Sequence, residues 1–361
     1  MEKNLEEEVS LGIRSYKKKI RNNWIILGIL MFLLICFSIL GASLGAANLT
    51  FVETIKGLFG VGSKYVLTTI WELRMPRVIG AILAGAGLSL AGAIMQSCLR
   101  NPLASPSTIG ISSAATFGAN IAIIAFGAGT VATGGTSVTI NNPYSVTIFA
   151  FIFALLAIFL IMIISKFQHF SPESIILAGT ALSALFGAGT TLLQYFGDET
   201  QIAAAIFWTF GDLGDIYWPQ ILIISVTLVV CFIFFMFQSW NYNTMVSGEE
   251  TAKALGLKTS IIRVLGLIFA TLLTAIIVSF VGVIGFVGLA GPQIIKKIIG
   301  TDHRFFIPAS ALTGSIILLL ADTVSRMVVS PIVLPVGAIT SIIGAVIFIF
   351  ILVKGLRKRW I

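Results

Sequence analysis

The sequence predicts an all-α polytopic membrane protein of about ten transmembrane helices, a prediction that rests on three observations. Of 361 residues, 57% are hydrophobic and 11% charged, with a mean hydropathy of +1.02; soluble domains carry about 25% charged residues, so this chain has too few to cover a water-facing surface. Its apolar residues come in runs long enough to cross a bilayer, which takes ~20 residues. The basic residues behind the formal charge of +8 stand in clusters beside those runs, the pattern of membrane topology rather than of a nucleic-acid partner.

Residues 1–23 form a charged amino tail, in which Lys17, Lys18, Lys19 and Arg21 lead into an apolar run from Trp24 to Ala47. Bases at that position predict a cytoplasmic amino end. Ala42 to Ala47 offers a cleavage-like site, but the run exceeds the ~7–15 residues of a cleavable signal and is read as the first retained helix. Further spans are expected at 77–98, 106–128, 143–165, 172–196, 219–240, 261–282, 285–299, 305–329 and 336–353. The membrane domain is then 24–353, and 354–361 is a basic cytoplasmic tail.

Counting inward from the amino end places 99–105, 166–171, 241–260 and 300–304 in the cytoplasm, with Arg100, Lys166, Lys253, Lys258, Lys296, Lys297 and Arg304. The opposite segments carry Glu53, Glu72, Asp198, Glu199, Asp212 and Asp215, so the positive-inside rule is satisfied in a multi-pass protein of the cell membrane. The span at 285–299 is short enough for a partial crossing, and 129–142 reads as an external loop. Residues 200–210 read as a short helix lying at the outer surface.

Arg74 to Gly118 is the most marked stretch. Gly80, Ala84, Gly85, Gly87, Ala91 and Gly92 allow neighbouring helices to approach closely, and Asn101-Pro-Leu-Ala-Ser-Pro106 then breaks the helix, because each proline lacks an N–H and restricts the residue before it. Cys36, Cys98 and Cys231 lie within apolar spans and read as buried free thiols, while His169 and His303 fall in polar loops. No Cys/His cluster has the spacing of a metal site.

The largest internal polar segment is Trp240 to Arg263. Ser247 followed by Glu250 has the spacing of a capping box, which predicts a short helix within 247–257, stopped by Gly256. No G-x-x-x-x-G-K-[ST] loop occurs, and Gly60-Val-Gly-Ser-Lys64 has neither its spacing nor its context. Energy for any transport therefore comes from another polypeptide or from an ion gradient. A gradient-driven carrier usually keeps ionisable groups near the midplane, and no expected span has one there; Asp322 and Arg326 come closest, four residues apart and able to pair on one helix face.

Several motifs in order resemble the FecCD/BtuC-type permeases, membrane subunits of ABC importers for iron-siderophores, haem and vitamin B12. They are R-M-P-R from Arg74 to Arg77, N-P-L-A-S-P, the segment Gly248 to Gly256, I-G-F-V-G-L-A-G-P-Q, D-H-R from Asp302, A-D-T-V-S-R ending at Arg326, and Leu334-Pro-Val-Gly337. The resemblance implies a dimer of this chain with itself or a second permease, two ATP-binding subunits holding ATP-Mg, and an extracytoplasmic substrate-binding protein. It implies no cofactor on this chain and no catalysis by it.

Residue by residue, the resemblance implies binding-protein docking at Arg74, Arg77 and Arg326, and ATPase coupling through Gly248, Glu249, Glu250, Ala252, Leu255 and Gly256. Gln96, Asn101, Thr180, Ser183 and Thr190 are candidates for the translocation path, although helix packing explains the small residues around them equally well. Gln293, Lys296 and Val333 depart from the family pattern, which has His, Arg and Glu there.

Overall fold

The computed structural model describes residues 2–45, 49–131, 138–140, 142–329 and 332–357. Among them, seven helices are long and apolar enough to span a membrane: Arg14–Ser43, Lys64–Cys98, Pro143–Lys166, Pro172–Phe196, Trp218–Phe237, Thr259–Val281 and His303–Met327. Three shorter ones complete the expected ten: Ile111–Ala125 and Val336–Phe350, and the thirteen residues Val287–Ile299. In chain order the helices used below are α1 (Glu2–Ser43), α2 (Phe51–Leu58), α3 (Lys64–Thr68), α4 (Met75–Cys98), α5 (Ile111–Asn120), α6 (Pro143–Lys166), α7 (Pro172–Phe196) and α8 (Glu199–Thr209). They continue with α9 (Trp218–Phe237), α10 (Ser239–Val246), α11 (Glu249–Ala254), α12 (Thr259–Val281), α13 (Val287–Ile299), α14 (His303–Met327) and α15 (Val336–Arg357).

Several boundaries differ from the sequence reading, each for a local reason. The amino tail continues α1 as helix instead of ending at the membrane. Short α2 was not expected; Thr50 and Glu53 close a capping box at its start. The loop 129–142 contains a small antiparallel hairpin, Gly129–Val131 with Val138–Ile140. The span expected at 219–240 breaks at Gln238 into α9 and α10.

Two expected spans are too short for a full crossing: helix covers Ile111–Ala125 of 106–128, because residues 106–110 are not helical, and Val287–Ile299 of 285–299. Residues 106–110 form a turn in which Ser105 and Thr108 exchange backbone-to-hydroxyl bonds at 2.8 and 3.3 Å, and α5 begins only after Gly110. That glycine has φ +88° and lies against the Gly179 carbonyl, about two turns into α7, so the turn has passed the start of α7 before α5 begins. Likewise α13 begins with Gly288 against the Leu88 carbonyl in mid-α4. It is a partial crossing, as its length suggested.

Buried α4 is the axis of the bundle, and it closes against α13 and α14 nearly backbone to backbone. Gly85 faces the Gly314 carbonyl and Gly92 faces the Gly288 carbonyl. Hydroxyls close the same seam, Ser89 donating to the Ser310 carbonyl at 2.6 Å and Ser315 to the Ile82 carbonyl at 2.8 Å. Without a hydrophobic force between helices in lipid, such close approach supplies the packing energy. A Cβ at position 92 would overlap backbone that cannot rotate aside. Gly92→Val is therefore expected to cost at least the ~3 kcal/mol upper end of overpacking and to abolish the monodisperse peak in detergent. Gly187→Ala, whose Cβ meets nothing within 4 Å, should leave that peak unchanged.

Candidate functional site

The polar chemistry of the described residues concentrates at the two ends of α4. Arg74 precedes its first turn and Cys98 closes its last, about 36 Å apart at 1.5 Å per residue.

At the Cys98 end, Arg263 organises the site. The side chain is 1% exposed, and its Nη2 pairs with Glu249 Oε2 at 2.8 Å, its Nε donates to the Cys98 carbonyl at 3.0 Å and its Nη1 donates to the Phe170 carbonyl at 2.7 Å. One guanidinium thus ties α11 to the end of α4 and to the turn before α7. That turn holds two consecutive non-glycine residues in the left-handed region, His169 at φ +53° and Phe170 at φ +56°, a conformation that costs ~1–3 kcal/mol per residue and persists only where the surroundings impose it. Ser171 then caps α7 by accepting the Ser174 N–H at 3.2 Å.

The short helix expected within 247–257 is present as α11, with Ala252 buried, Glu250 and Leu255 exposed, and Gly256 at φ +83° as its stop. The capping box is not. Gly248 occupies the N-cap at φ +135° and Ser247 Oγ donates back to the Asn243 carbonyl at 3.3 Å, so Glu249, and not Glu250, turns inward. Partial burial acts to raise the Glu249 carboxyl, but Arg263 and Lys253 outweigh it and hold the group below its ordinary value.

Beside α11, a second polar chain joins α10 to the starts and ends of other helices. Asn243 donates to Asp302 at 3.1 Å and accepts the His303 N–H at 2.8 Å, which fixes its amide orientation. Its Oδ1 also lies 2.8 Å from His303 Nδ1, so the ring proton sits on Nδ1, and Nε2 lies 2.7 Å from Ser97 Oγ, whose single hydrogen is shared with the Ala93 carbonyl at 2.8 Å. His303, expected in a loop, is instead the buried first residue of α14. Asp302 is held below its ordinary value chiefly by hydrogen bonds from Arg304.

Of the path candidates, Gln96 is buried and its Oε1 accepts from Gln293 Nε2 at 2.7 Å; that nitrogen also donates to the Pro102 carbonyl at 2.9 Å. The glutamine at 293 thereby ties α4, α13 and the 99–110 turn together. Asn101 accepts the Leu103 N–H at 2.9 Å, stabilising its own turn. Thr180, Ser183 and Thr190 each donate to a carbonyl of α7 itself, at 2.9, 2.8 and 2.9 Å. Thr180, Ala184, Gly187 and Thr191 lie along an exposed face of that helix, which keeps only hydroxyl oxygens to offer a passing solute. Val333 is exposed.

At the opposite end, the three expected arginines converge, but their hydrogen bonds run inward. Arg74 Nη1 donates to the Ala42 and Ser43 carbonyls at 2.8 and 2.9 Å; Arg326 donates to Leu44 and Gly41 at 2.7 and 3.1 Å. Together they cap the carboxyl end of α1, where cations oppose the helix dipole. Fully buried Asp322 accepts from Arg77 Nε at 2.7 Å and from Arg326 Nε at 3.0 Å, realising the four-residue pairing anticipated for LADTVSR. Arg77 Nη2 is buried without a hydrogen bond and lies 3.5 Å from Asp212 Oδ1, a Coulombic contact.

Arg263 carries no motif, and the carbonyls it binds lie 165 and 93 residues away. The only sequence signal for it is a lone base opening an apolar span.

The chain is 48% identical, over 92% of its own length and 96% of the relative's, to a protein of Methanocaldococcus jannaschii assigned as an ABC transporter permease. It is 33% identical to the hemin transport system permease protein of Yersinia pestis, over 93% and 97% of the two chains. Further relatives are named for Fe(3+)-citrate and vitamin B12 import. A solved structure of an inward-facing transporter assigned to the metal-chelate ABC type superposes with a TM-score of 0.77 at 29% identity, covering 92% of this chain and 99% of that one. Residues 30–354 match the FecCD transport family, and the chain belongs to that family of ABC-transporter membrane permeases.

Proposed function

We propose that this chain forms the transmembrane path of an importer for an iron-siderophore-type chelate, driven by two separate ATP-binding subunits and loaded by an extracytoplasmic binding protein. The observation that carries the reading is the placement of α11. It is a short exposed helix at the end of the bundle opposite Arg74, anchored through one buried arginine to α4 and to the start of α7. Such an element can receive a push and pass it to membrane helices, and the sequence has no phosphate-binding loop to generate one. The excess of bases at the α11 end supports a cytoplasmic position for that end.

The exposed small-residue face of α7 fits the wall of a path completed by a second permease copy, where hydroxyl oxygens and no fixed charges would hold cargo weakly. At the Arg74 end, Arg77 is the residue best suited to a partner's carboxylate, since Asp322 engages only its Nε and Nη2 has no hydrogen bond. The choice of a siderophore follows the weight of the family, whose relatives also include haem and vitamin B12 permeases.

The test is reconstitution of the chain in liposomes with its ATP-binding subunit and binding protein, supplying ferric siderophore, haem and cobalamin in turn. ATP-dependent accumulation of ferric siderophore is expected. Accumulation of haem or cobalamin alone would reassign the cargo, and uptake on an ion gradient without the ATP-binding subunit would overturn the reading.

A further inference from the structure

We propose that a hollow beside α10, at the Cys98 end of α4, is a binding site for a phosphate group. The hollow holds about 230 Å³, room for seven or eight waters at ~30 Å³ each and therefore for a phosphate with a short organic stem. Arg100 and Lys296 line it from two separate segments, Thr301 adds a hydroxyl, and Ser97 and His303 line it from their hydrogen-bonded pair.

Three features make it an anion site. No carboxylate lines it, and the nearest in sequence, Asp302, is committed to Arg304 and Asn243. Among the described residues, neither Arg100 nor Lys296 has an ion-pair or side-chain hydrogen-bond partner. Arg100 is also held at φ +49°, a left-handed conformation that costs a non-glycine residue energy and here places it at the rim. A guanidinium fork and an ammonium brought to one hollow from two separate segments suit a tetrahedral, doubly charged anion, and basic pockets between membrane helices take phosphate head groups. Lys19 of α1 lies against Gly300, next to Thr301, and adds to the local positive field.

Val246, the last residue of α10, forms part of the wall. A bound phosphate would therefore bridge the ends of α4 and α13 beside the segment leading into α11. The site stands independently of what α11 contacts.

The chain in neutral phosphatidylcholine nanodiscs, titrated with inorganic phosphate at constant ionic strength, should show a saturable rise in unfolding temperature. Lys296→Gln should weaken the apparent phosphate affinity about tenfold, the loss of one charge-assisted hydrogen bond, and Arg100→Gln with Lys296→Gln should remove the response. A parallel preparation with phosphatidylglycerol separates the sources. Retention of that lipid in native mass spectra, displaced by phosphate, assigns the site to a membrane head group; a phosphate response without lipid retention assigns it to a soluble phosphate compound. Absence of both, or an undiminished phosphate response in Lys296→Gln and the double variant, overturns the proposal.

Discussion

Arg263→Gln is expected to lower ATP-driven uptake at least tenfold while leaving the ATP-binding subunits attached. Glutamine cannot reach three acceptors, so the change strands a carboxylate and two carbonyls around a nearly dry site. Breaking a buried ion pair by removing one partner costs ~3–5 kcal/mol; Glu249 is one-quarter exposed and keeps Lys253 at 3.3 Å, which puts the expected loss at the lower end. Its effect on transport follows from where the bonds go. With Arg263 gone, α11 keeps its exposed Leu255 surface but loses its ties to the Cys98 and Phe170 carbonyls, so a push on it no longer reaches α4 or α7.

Arg263→Lys sharpens the point. An ammonium restores charge opposite Glu249 but is a single donor centre without the planar fork, and it cannot span the Cys98 and Phe170 carbonyls together. Uptake should recover only in part, with hydrolysis by the assembled complex continuing in both variants. Cross-linking from Leu255→Cys to the ATP-binding subunit monitors attachment. Full uptake by Arg263→Gln, with attachment intact, would remove the relay role.

Much of the architecture was legible because lipid imposes a strong rule on composition. Apolar runs and flanking bases located the long helices to within a few residues, and the spacing of Asp322 and Arg326 foretold their pairing. The shortness of α13 was legible in its span, but the late start of α5 was not. Where α5 and α13 begin is decided by close approaches between Gly110 and α7 and between Gly288 and α4, which are contacts between segments distant in the chain. The Ser247/Glu250 pattern misled because an intervening glycine took the N-cap and rotated the helix, so that its neighbour Glu249 faces the core. Arg263 escaped notice for a related reason: backbone carbonyls carry no side-chain signature, and two of its three partners are carbonyls.

The Arg74 end offers the second large effect, and it separates two roles for the same residues. Asp322 is the only described carboxylate within ion-pair distance of Arg326 and holds Arg77 as well. Asp322→Asn keeps the volume and one acceptor oxygen but leaves the Arg326 guanidinium without a counter-charge and Arg77 with only the half-exposed Asp212 carboxylate at 3.5 Å. The expected cost is again ~3–5 kcal/mol, read as a fall of several degrees in the unfolding temperature of the isolated permease. If the arginines served docking alone, Arg326→Gln would leave that temperature unchanged and weaken only binding-protein affinity. The geometry predicts the reverse order for Arg326, because its other donors hold the Gly41 and Leu44 carbonyls at the end of α1 and their loss frees that end. For Arg77→Gln the prediction divides. The bond from Nε to Asp322 contributes to stability, while Nη2 has no hydrogen bond and only the half-exposed Asp212 carboxylate at 3.5 Å, which a partner's carboxylate would replace. Binding-protein affinity should therefore fall more with Arg77→Gln than with Arg326→Gln, and unfolding temperature less. Equal affinity losses with no change in stability would instead make Arg77 and Arg326 a docking surface, with their inward bonds incidental.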